Sequence, residues 1–151
     1  MDATEPAWMA AARSKLGEHE LAGDADDPFI VACLAAVGLP HQHDETAWCS
    51  AFANWAMRSV GMTATGRANA RSWLQWGEPL PKPIIGAVCV FSRPPDPSHG
   101  HVGFYAGETE DSVLVLGGNE DNRVEIKPYP KARLIGYRWP TAGQLQAAGA
   151  A

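Results

Sequence analysis

The sequence lacks the marks of several protein classes. Twelve basic residues against seventeen acidic ones give a net charge of -5, so the chain has no cationic surplus for binding a phosphate backbone. No apolar run is long enough to span a membrane. The amino-terminal stretch opens with acidic residues and Arg13 interrupts its apolar run, which does not fit a secretory signal peptide. We therefore expect a protein made in the cytoplasm that binds neither nucleic acid nor membrane.

Cysteine is scarce as well. The three cysteines, Cys33, Cys49 and Cys89, are an odd number and show no C-x-x-C spacing. This pattern argues against a disulfide framework and against a cysteine-rich zinc site. Cys33 and Cys89 lie within apolar runs, where a small buried thiol is the usual occupant. We expect all three to be free thiols.

What the chain does contain is enough apolar material for one core. It has 151 residues, of which 46% are hydrophobic and 19% charged. A chain of this length buries roughly two thirds of the surface that it exposes when unfolded. Because we find no internal repeat and no linker, we expect residues 1–151 to form a single domain and a monomer.

Helical patterns come first along the chain and strand patterns follow. Apolar spacing predicts helices at 7–16 and 28–37, a third from an N-cap at Thr46 to about Gly61, and a short one at 69–76. The tail from 141 is expected to fray. This order predicts an α+β domain with amino-terminal helices on an antiparallel sheet. Alternation and turn residues predict five strands, at 86–91, 101–107, 112–117, 123–128 and 134–139.

Cys49 stands out because of where its helix begins. In the stretch DETAWCSAFANW, residues 44–55, it falls in the first turn after the predicted N-cap. A helix N-terminus stabilises a thiolate and, with help from a histidine, lowers the cysteine pKa from about 8.5 to roughly 3.5–7.5. For one cysteine taken alone, a buried packing role is the stronger interpretation. A nucleophile would need a base nearby.

His101 is the candidate base, because it begins an apolar strand after a proline-rich loop. If the following hairpin turns at residues 109–110, paired residues have numbers that sum to about 219 or 220. His101 then lies opposite either Gly118 or Asn119. In the second register the His101 and Asn119 side chains share a face, with Cβ atoms roughly 5 Å apart, so the amide could orient the imidazole. The alternative is that GGNEDN, residues 117–122, is simply a turn.

Glycine makes room beside this pair. The same register sets Gly103 against Gly117, which leaves the sheet without side chains at that point. The helix end that carries Cys49 could therefore come close to His101.

Five motifs follow one another along the chain: DETAWCSAFANW, ARSWLQWG, GHVGFYAG, LVLGGNEDNRV and IGYRWP. Together they resemble the NlpC-like, CHAP-related papain-fold cysteine peptidases that cut bacterial cell walls. The likeness extends from about residue 7 to residue 140, and it is strongest with the small single-domain branch found in phage lysis modules and among secreted antibacterial effectors. It implies a papain-like fold.

The resemblance implies a peptidoglycan hydrolase with Cys49 as nucleophile, His101 as base and Asn119 as the residue that orients the base. Asn122 is the nearby alternative to Asn119. The Cys49 backbone N–H would help to hold the oxyanion, and no metal or other cofactor is implied. The bond between muramic acid and L-alanine, a bond within the stem peptide and a cross-bridge are open alternatives for the amide that is cut.

The likeness also bears on where the protein would act. An enzyme of this kind without a signal peptide would reach the periplasm or cell wall after lysis or through a dedicated secretion machine. It would then be a phage lysin or a secreted effector. The implied partners are the peptidoglycan peptide and, for an effector, an immunity protein or the secretion machinery.

Tryptophan is abundant for this length, with six residues. Trp48, Trp73 and Trp76 are candidates to line a groove for a peptide or sugar chain, whereas Trp55 and Trp139 follow the core periodicity. For any single tryptophan, the core is the more common place.

Two other interpretations stay open. The HQH and HGH patterns, at 41–43 and 99–101, could hold zinc, because histidines two residues apart on a strand face the same side. No carboxylate at a useful spacing completes that set. A wall-binding module could keep the fold without the chemistry, although a binder has no need of Cys49, His101 and Asn119 together.

Overall fold

The computed structural model describes residues 5–17, 28–35, 37, 45–118 and 123–149. Helices come first and strands follow, as predicted. None of the described helices is long and apolar enough to cross a membrane. The helices are α1 (Ala7–Arg13), α2 (Pro28–Ala35), α3 (Glu45–Ser59) and α4 (Ala142–Ala147), with 3-10 helices at Ala70–Gln75 and Lys131–Arg133. The strands are β1 (Glu78–Leu80), β2 (Val88–Arg93), β3 (Asp96–Glu108), β4 (Ser112–Gly118), β5 (Val124–Pro130) and β6 (Leu134–Trp139).

The strands form one antiparallel sheet in the order β1-β6-β2-β3-β4-β5. The predicted α+β fold is confirmed, with six described strands where five were predicted. The additional strand, β1, runs through a proline-rich segment in which no strand was predicted. Pro79 pairs with Arg138 of β6. Because β1 lies at the sheet edge, a residue without an N–H is tolerated there.

The tail beyond residue 141 forms a helix instead of fraying, which corrects the prediction from its composition. Thr141 caps α4: its Oγ1 accepts a hydrogen bond from Gln144 N at 3.1 Å, and Thr141 N donates to Gln144 Oε1 at 2.8 Å. This T-x-x-Q arrangement is a capping box, which satisfies two helix-end donors at once. A local hydrogen-bond pattern therefore outweighs the small, polar composition of this segment.

The helices cover one face of the sheet. Helix α3 lies against β3 and β4, and both α1 and α2 contact it. Trp8 ties α1 to the sheet, because its Nε1 donates to Gly86 O at 2.8 Å and its ring meets Trp139 edge-on at 5.0 Å. Phe29 of α2 meets the Trp55 ring at 4.8 Å in the same manner. This packing holds α3, which carries Cys49, on the middle of the sheet.

Strand β2 is buried on both faces. Val88 and Val90 join the core under the helices, whereas Cys89 and Phe91 belong to a second buried cluster with other sheet residues. Successive strand residues point to opposite faces, so these two clusters lie on the two sides of the sheet. Cys33 and Cys89 are both fully buried free thiols, in agreement with their predicted packing roles.

Candidate active site

Cys49 lies close to the amino-terminal end of α3. The helix begins at Glu45, one residue before the predicted N-cap Thr46. Cys49 is therefore the fifth residue of α3, two residues further from the start of the helix than predicted. Its side chain is 4% exposed and belongs to the core under the helices, and its thiol is free.

The surroundings of Cys49 act on its thiol in two opposite ways. Burial raises the pKa of Cys49 above its ordinary value, since a thiolate loses its hydration there. A hydrogen bond from the Val102 backbone, the positive charge of Arg93 and the backbone of Ser50 favour the thiolate and partly offset that increase. The thiol is protonated at rest, but its thiolate would have hydrogen-bond partners.

The β3–β4 hairpin adopts the second of the two predicted registers near the site. Its turn lies at 109–112, where Thr109 N donates to Ser112 O at 2.8 Å, one residue later than predicted. A bulge between Tyr105 and Gly107 compensates for this displacement. Phe104 consequently pairs with Leu116. Their residue numbers sum to 220, as in the predicted register that sets His101 opposite Asn119.

Gly103 and Gly117 face each other, as this register requires. A Cβ added to Gly117 would lie 3.5 Å from the Gly103 Cα and 3.9 Å from the His101 Nε2. The same Cβ would lie 3.4 Å from the Val102 carbonyl oxygen.

In an extended strand a residue's N–H and C=O point to the same side. The Val102 N–H that reaches Cys49 therefore also points toward β4 at the level of Gly117.

His101 is half-buried among aromatic rings. It stacks on Tyr129 with 4.2 Å between ring centroids and 15° between planes, and Phe91 lies at 6.3 Å. Burial lowers the pKa of His101 to about 3, and the positive charges of Arg93 and Lys127 act in the same direction. The imidazole is therefore neutral at physiological pH.

Cys49 and His101 meet the β3–β4 junction from opposite sides of the sheet. The Cys49 sulfur contacts the backbone of Val102, which follows His101 in the chain. The His101 ring lies on the other face, against Phe91 and Tyr129, because successive strand residues alternate. Among the described residues no hydrogen bond joins the thiol to the imidazole. The positive charge of Arg93 lowers the pKa of both Cys49 and His101, so both side chains lie near the same guanidinium group.

Several predicted site residues lie wholly or partly outside the described part of the chain. Asn119 and Asn122 are outside it, as are the histidines of the HQH pattern. Trp48 is described only as a backbone position of α3, and His99 only as one of β3. Within the described residues no group of three metal-binding side chains is found.

The two described groove candidates occupy different environments. Trp73 is fully buried and donates from Nε1 to Ser50 Oγ at 3.0 Å. Trp76 meets the Trp73 ring at 5.1 Å, donates from Nε1 to Thr63 O at 2.8 Å and lines a surface cavity. Of these two tryptophans, only Trp76 is placed to touch a bound ligand.

A polar network next to Cys49 and this cavity were not predicted. Ser50 and Asn54 are both fully buried, and Asn54 Nδ2 donates to Ser50 O at 2.9 Å. Their spacing of four residues on an apolar helix was the available signal, because polar residues there need internal partners. The cavity measures about 570 Å³ and is lined by Thr65, Arg67, Asn69, Arg71, Ser72, Leu74, Gln75 and Trp76.

Comparison with known proteins identifies the family. Residues 41–119 match the CHAP domain, a span of more than half of the chain that contains Cys49, His101 and Asn119. No curated protein and no solved structure matches the chain. CHAP domains typically act as amidases or peptidases, which supports a peptidoglycan hydrolase activity of this general kind. The extent of the match, together with the α+β papain-like arrangement, shows that the chain belongs to the CHAP domain family.

Proposed function

We propose that this protein hydrolyses an amide bond in the peptide of peptidoglycan with Cys49 as nucleophile and His101 as base. The observation that carries the proposal is the place of the Cys49 sulfur, near the start of α3 and against the backbone next to His101. Both residues lie within the CHAP match. Asn119 would lie opposite His101 if the register continues, and it is proposed to orient the ring.

The resting site holds a neutral thiol and a neutral imidazole. Burial raises the pKa of Cys49 and lowers that of His101 to about 3, so no stored ion pair is expected at neutral pH. His101 would act as a general base when substrate binds. Its ring would have to move from the Tyr129 stack toward the sulfur, and catalytic hydrogen bonds commonly tighten only in the substrate complex.

The proposed reaction has two stages. The Cys49 sulfur bonds to the amide carbon while its proton passes to His101, and the carbon–nitrogen bond breaks as His101 protonates the leaving amine. Water then attacks the thioester, His101 takes a proton from that water, and the carboxylic acid leaves as the Cys49 thiol is restored. No oxidant, reductant or cofactor is needed for this balance.

The start of α3 changes the proposed oxyanion site. An α-helix leaves its first four N–H groups without internal acceptors, and in α3 these include the N–H groups of residues 45–47. The Cys49 N–H lies beyond them and has the Glu45 carbonyl as its internal acceptor. We therefore assign oxyanion stabilisation to the first turn of α3, in place of the Cys49 N–H.

Mass spectrometry of muropeptides released by the purified protein tests the proposal. Wild type should release new amine and carboxyl ends, and Cys49→Ser and His101→Ala should each abolish release because the two residues act as one unit. Cys33→Ala, which alters another buried thiol, is the matched control and should stay active. Asn119→Ala should be less damaging than His101→Ala. An active Asn119→Ala together with an inactive Asn122→Ala would assign the third role to Asn122.

The same digestion separates this mechanism from the zinc alternative. Hydrolysis that survives Cys49→Ser but disappears with a chelator would contradict the cysteine mechanism. Binding to the wall without any released fragment would instead favour a wall-binding module of the same fold. We further propose that the protein reaches the wall after lysis or by dedicated secretion, as a phage lysin or an antibacterial effector, and that an effector would require an immunity protein.

A further inference from the structure

The segment before β1 carries a charge opposite to that of the whole chain. Residues 46–77 contain three arginines and neither lysine nor any acidic residue. They contribute +3, so the rest of the chain carries -8 to reach the total of -5. Such a local reversal attracts an anion to this segment.

Two of these arginines line the cavity of about 570 Å³. Arg67 and Arg71 share its lining with Asn69 and Gln75, whose amides can donate hydrogen bonds. Trp76 supplies an apolar wall. Arg58 belongs to the same segment but does not line the cavity.

Both arginines contact chain neighbours of the proposed catalytic residues. Ser50 Oγ donates to Arg67 O at 2.7 Å, and Ser50 directly follows Cys49. A Cβ placed on Gly100 would lie 3.5 Å from Arg71 Cγ and 3.7 Å from Arg71 Nε, and Gly100 directly precedes His101. The cavity lining is therefore tied to α3 next to Cys49 and to β3 next to His101.

The loop that presents Arg67 is fixed by partly buried hydrogen bonds. Gly66 N donates to Asn54 Oδ1 at 2.7 Å, and Gly66 has a φ of +67°, which favours glycine. Thr65 Oγ1 accepts from Asn54 Nδ2 at 3.3 Å and from Ser72 Oγ at 3.0 Å. A preformed loop of this kind spends little binding energy on ordering itself.

We infer that this cavity binds a free carboxylate of the wall peptide, one or two residues from the amide that is cut. The inference rests on the proposed function and specifies its substrate class. Planar guanidinium groups pair with carboxylates through two parallel hydrogen bonds. One or two extended residues span roughly 3–7 Å, a distance that suits a cavity whose lining contacts the residues next to Cys49 and His101. The selected substrate is an acidic wall peptide, and amidation of that carboxyl group weakens its binding.

The test compares an acidic wall tetrapeptide with its amidated counterpart. Wild type should cut the acidic peptide with a KM at least tenfold lower, since charge-assisted hydrogen bonds commonly contribute a factor of ten or more. Arg67→Gln and Arg71→Gln should each raise KM for the acidic peptide about tenfold or more, with kcat nearly unchanged. The amidated peptide should be affected little by either substitution.

Arg58→Gln is the matched control, because it removes the same charge from the same segment outside the cavity. An equal loss in Arg58→Gln, or an equal loss for both peptides in the cavity variants, would overturn the inference. Binding is also measured on Cys49→Ala by calorimetry, where the acidic peptide should bind at least tenfold more tightly. Hydrolysis without preference for the acidic peptide contradicts the carboxylate site alone. Arginine-dependent binding without any hydrolysis by wild type contradicts the proposed function alone.

Discussion

Ser50 joins helix α3 to the loop that lines the cavity, and Ser50→Ala measures how much these hydrogen bonds contribute to stability. Its hydroxyl donates to Arg67 O at 2.7 Å and accepts from Trp73 Nε1 at 3.0 Å. The substitution leaves the buried Trp73 N–H without an acceptor, at a cost of about 1–3 kcal/mol. Loss of the partly buried bond to Arg67 adds about 1 kcal/mol. The free energy of unfolding should therefore fall by roughly 2–4 kcal/mol.

Urea unfolding followed by tryptophan fluorescence measures this change, and a thermal scan should show a midpoint lower by on the order of 10 °C. Ser59→Ala is the matched control within α3. Its hydroxyl donates to Ala56 O at 2.7 Å from an exposed position, so that substitution should change stability by less than about 0.5 kcal/mol. Both variants replace serine by alanine in one helix, so differences in helix propensity largely cancel.

A double-mutant cycle shows whether Trp73 is the partner that matters. Trp73→Phe removes the N–H, so Ser50→Ala should cost clearly less in that background than in wild type, by about 1 kcal/mol or more. Equal costs in the two backgrounds would show that the Trp73 bond contributes nothing. A Ser50→Ala protein as stable as Ser59→Ala would refute the view that this network fixes the loop.

Three further predictions concern the sheet, the titration of the site and the place of action. Gly103→Ala should destabilise the protein by several kcal/mol in urea unfolding, because its Cβ would overlap Val115 Cγ1. A cost below about 0.5 kcal/mol would contradict this tight contact. The pKa of His101 is lowered to about 3 in the folded protein, whereas in the unfolded chain it is about 6.5. Between these two pH values the unfolded chain binds the proton more tightly, so the free energy of unfolding should fall as the pH decreases from about 6.5 to 3. His101→Gln should reduce that slope, and an unchanged slope would contradict the assigned pKa. A Gram-negative host should tolerate expression of the chain as it stands. The same chain behind a periplasmic export signal should cause lysis, and the exported Cys49→Ala variant should not. Equal toxicity of the exported wild type and the exported Cys49→Ala variant would exclude wall cutting as the cause.

The register at the site was within reach of sequence reasoning, whereas the path of the hairpin was not. Counting from a turn at 109–110 allowed sums of 219 and 220, and the 220 register is the one found between Phe104 and Leu116. The turn is one residue later and a bulge at Ala106 compensates for it. A bulge follows from the twist of the assembled sheet, which the alternation of residues in one strand does not reveal.

The cavity could not be predicted from the sequence, for a different reason. Its lining comes from a loop and a 3-10 helix whose positions depend on partners distant in the chain, such as the Ser50 hydroxyl beneath Arg67 O. Trp73 and Trp76 lie three residues apart in the sequence, yet of the two only Trp76 lines the cavity. Helical periodicity identifies an apolar side chain that must be buried, but it does not distinguish burial in the core from burial by a ligand.

The protonated state of the resting thiol has a consequence for the lifetime of the protein outside a reducing cell. Oxidants and alkylating agents react with thiolates far faster than with thiols, and Cys49 is both 4% exposed and held at a raised pKa. A cysteine with a permanently low pKa would be consumed by peroxide during release or transport. Under the proposed mechanism and route of release, Cys49 would form its thiolate only with substrate in place, and would therefore remain chemically inert until it reaches the wall.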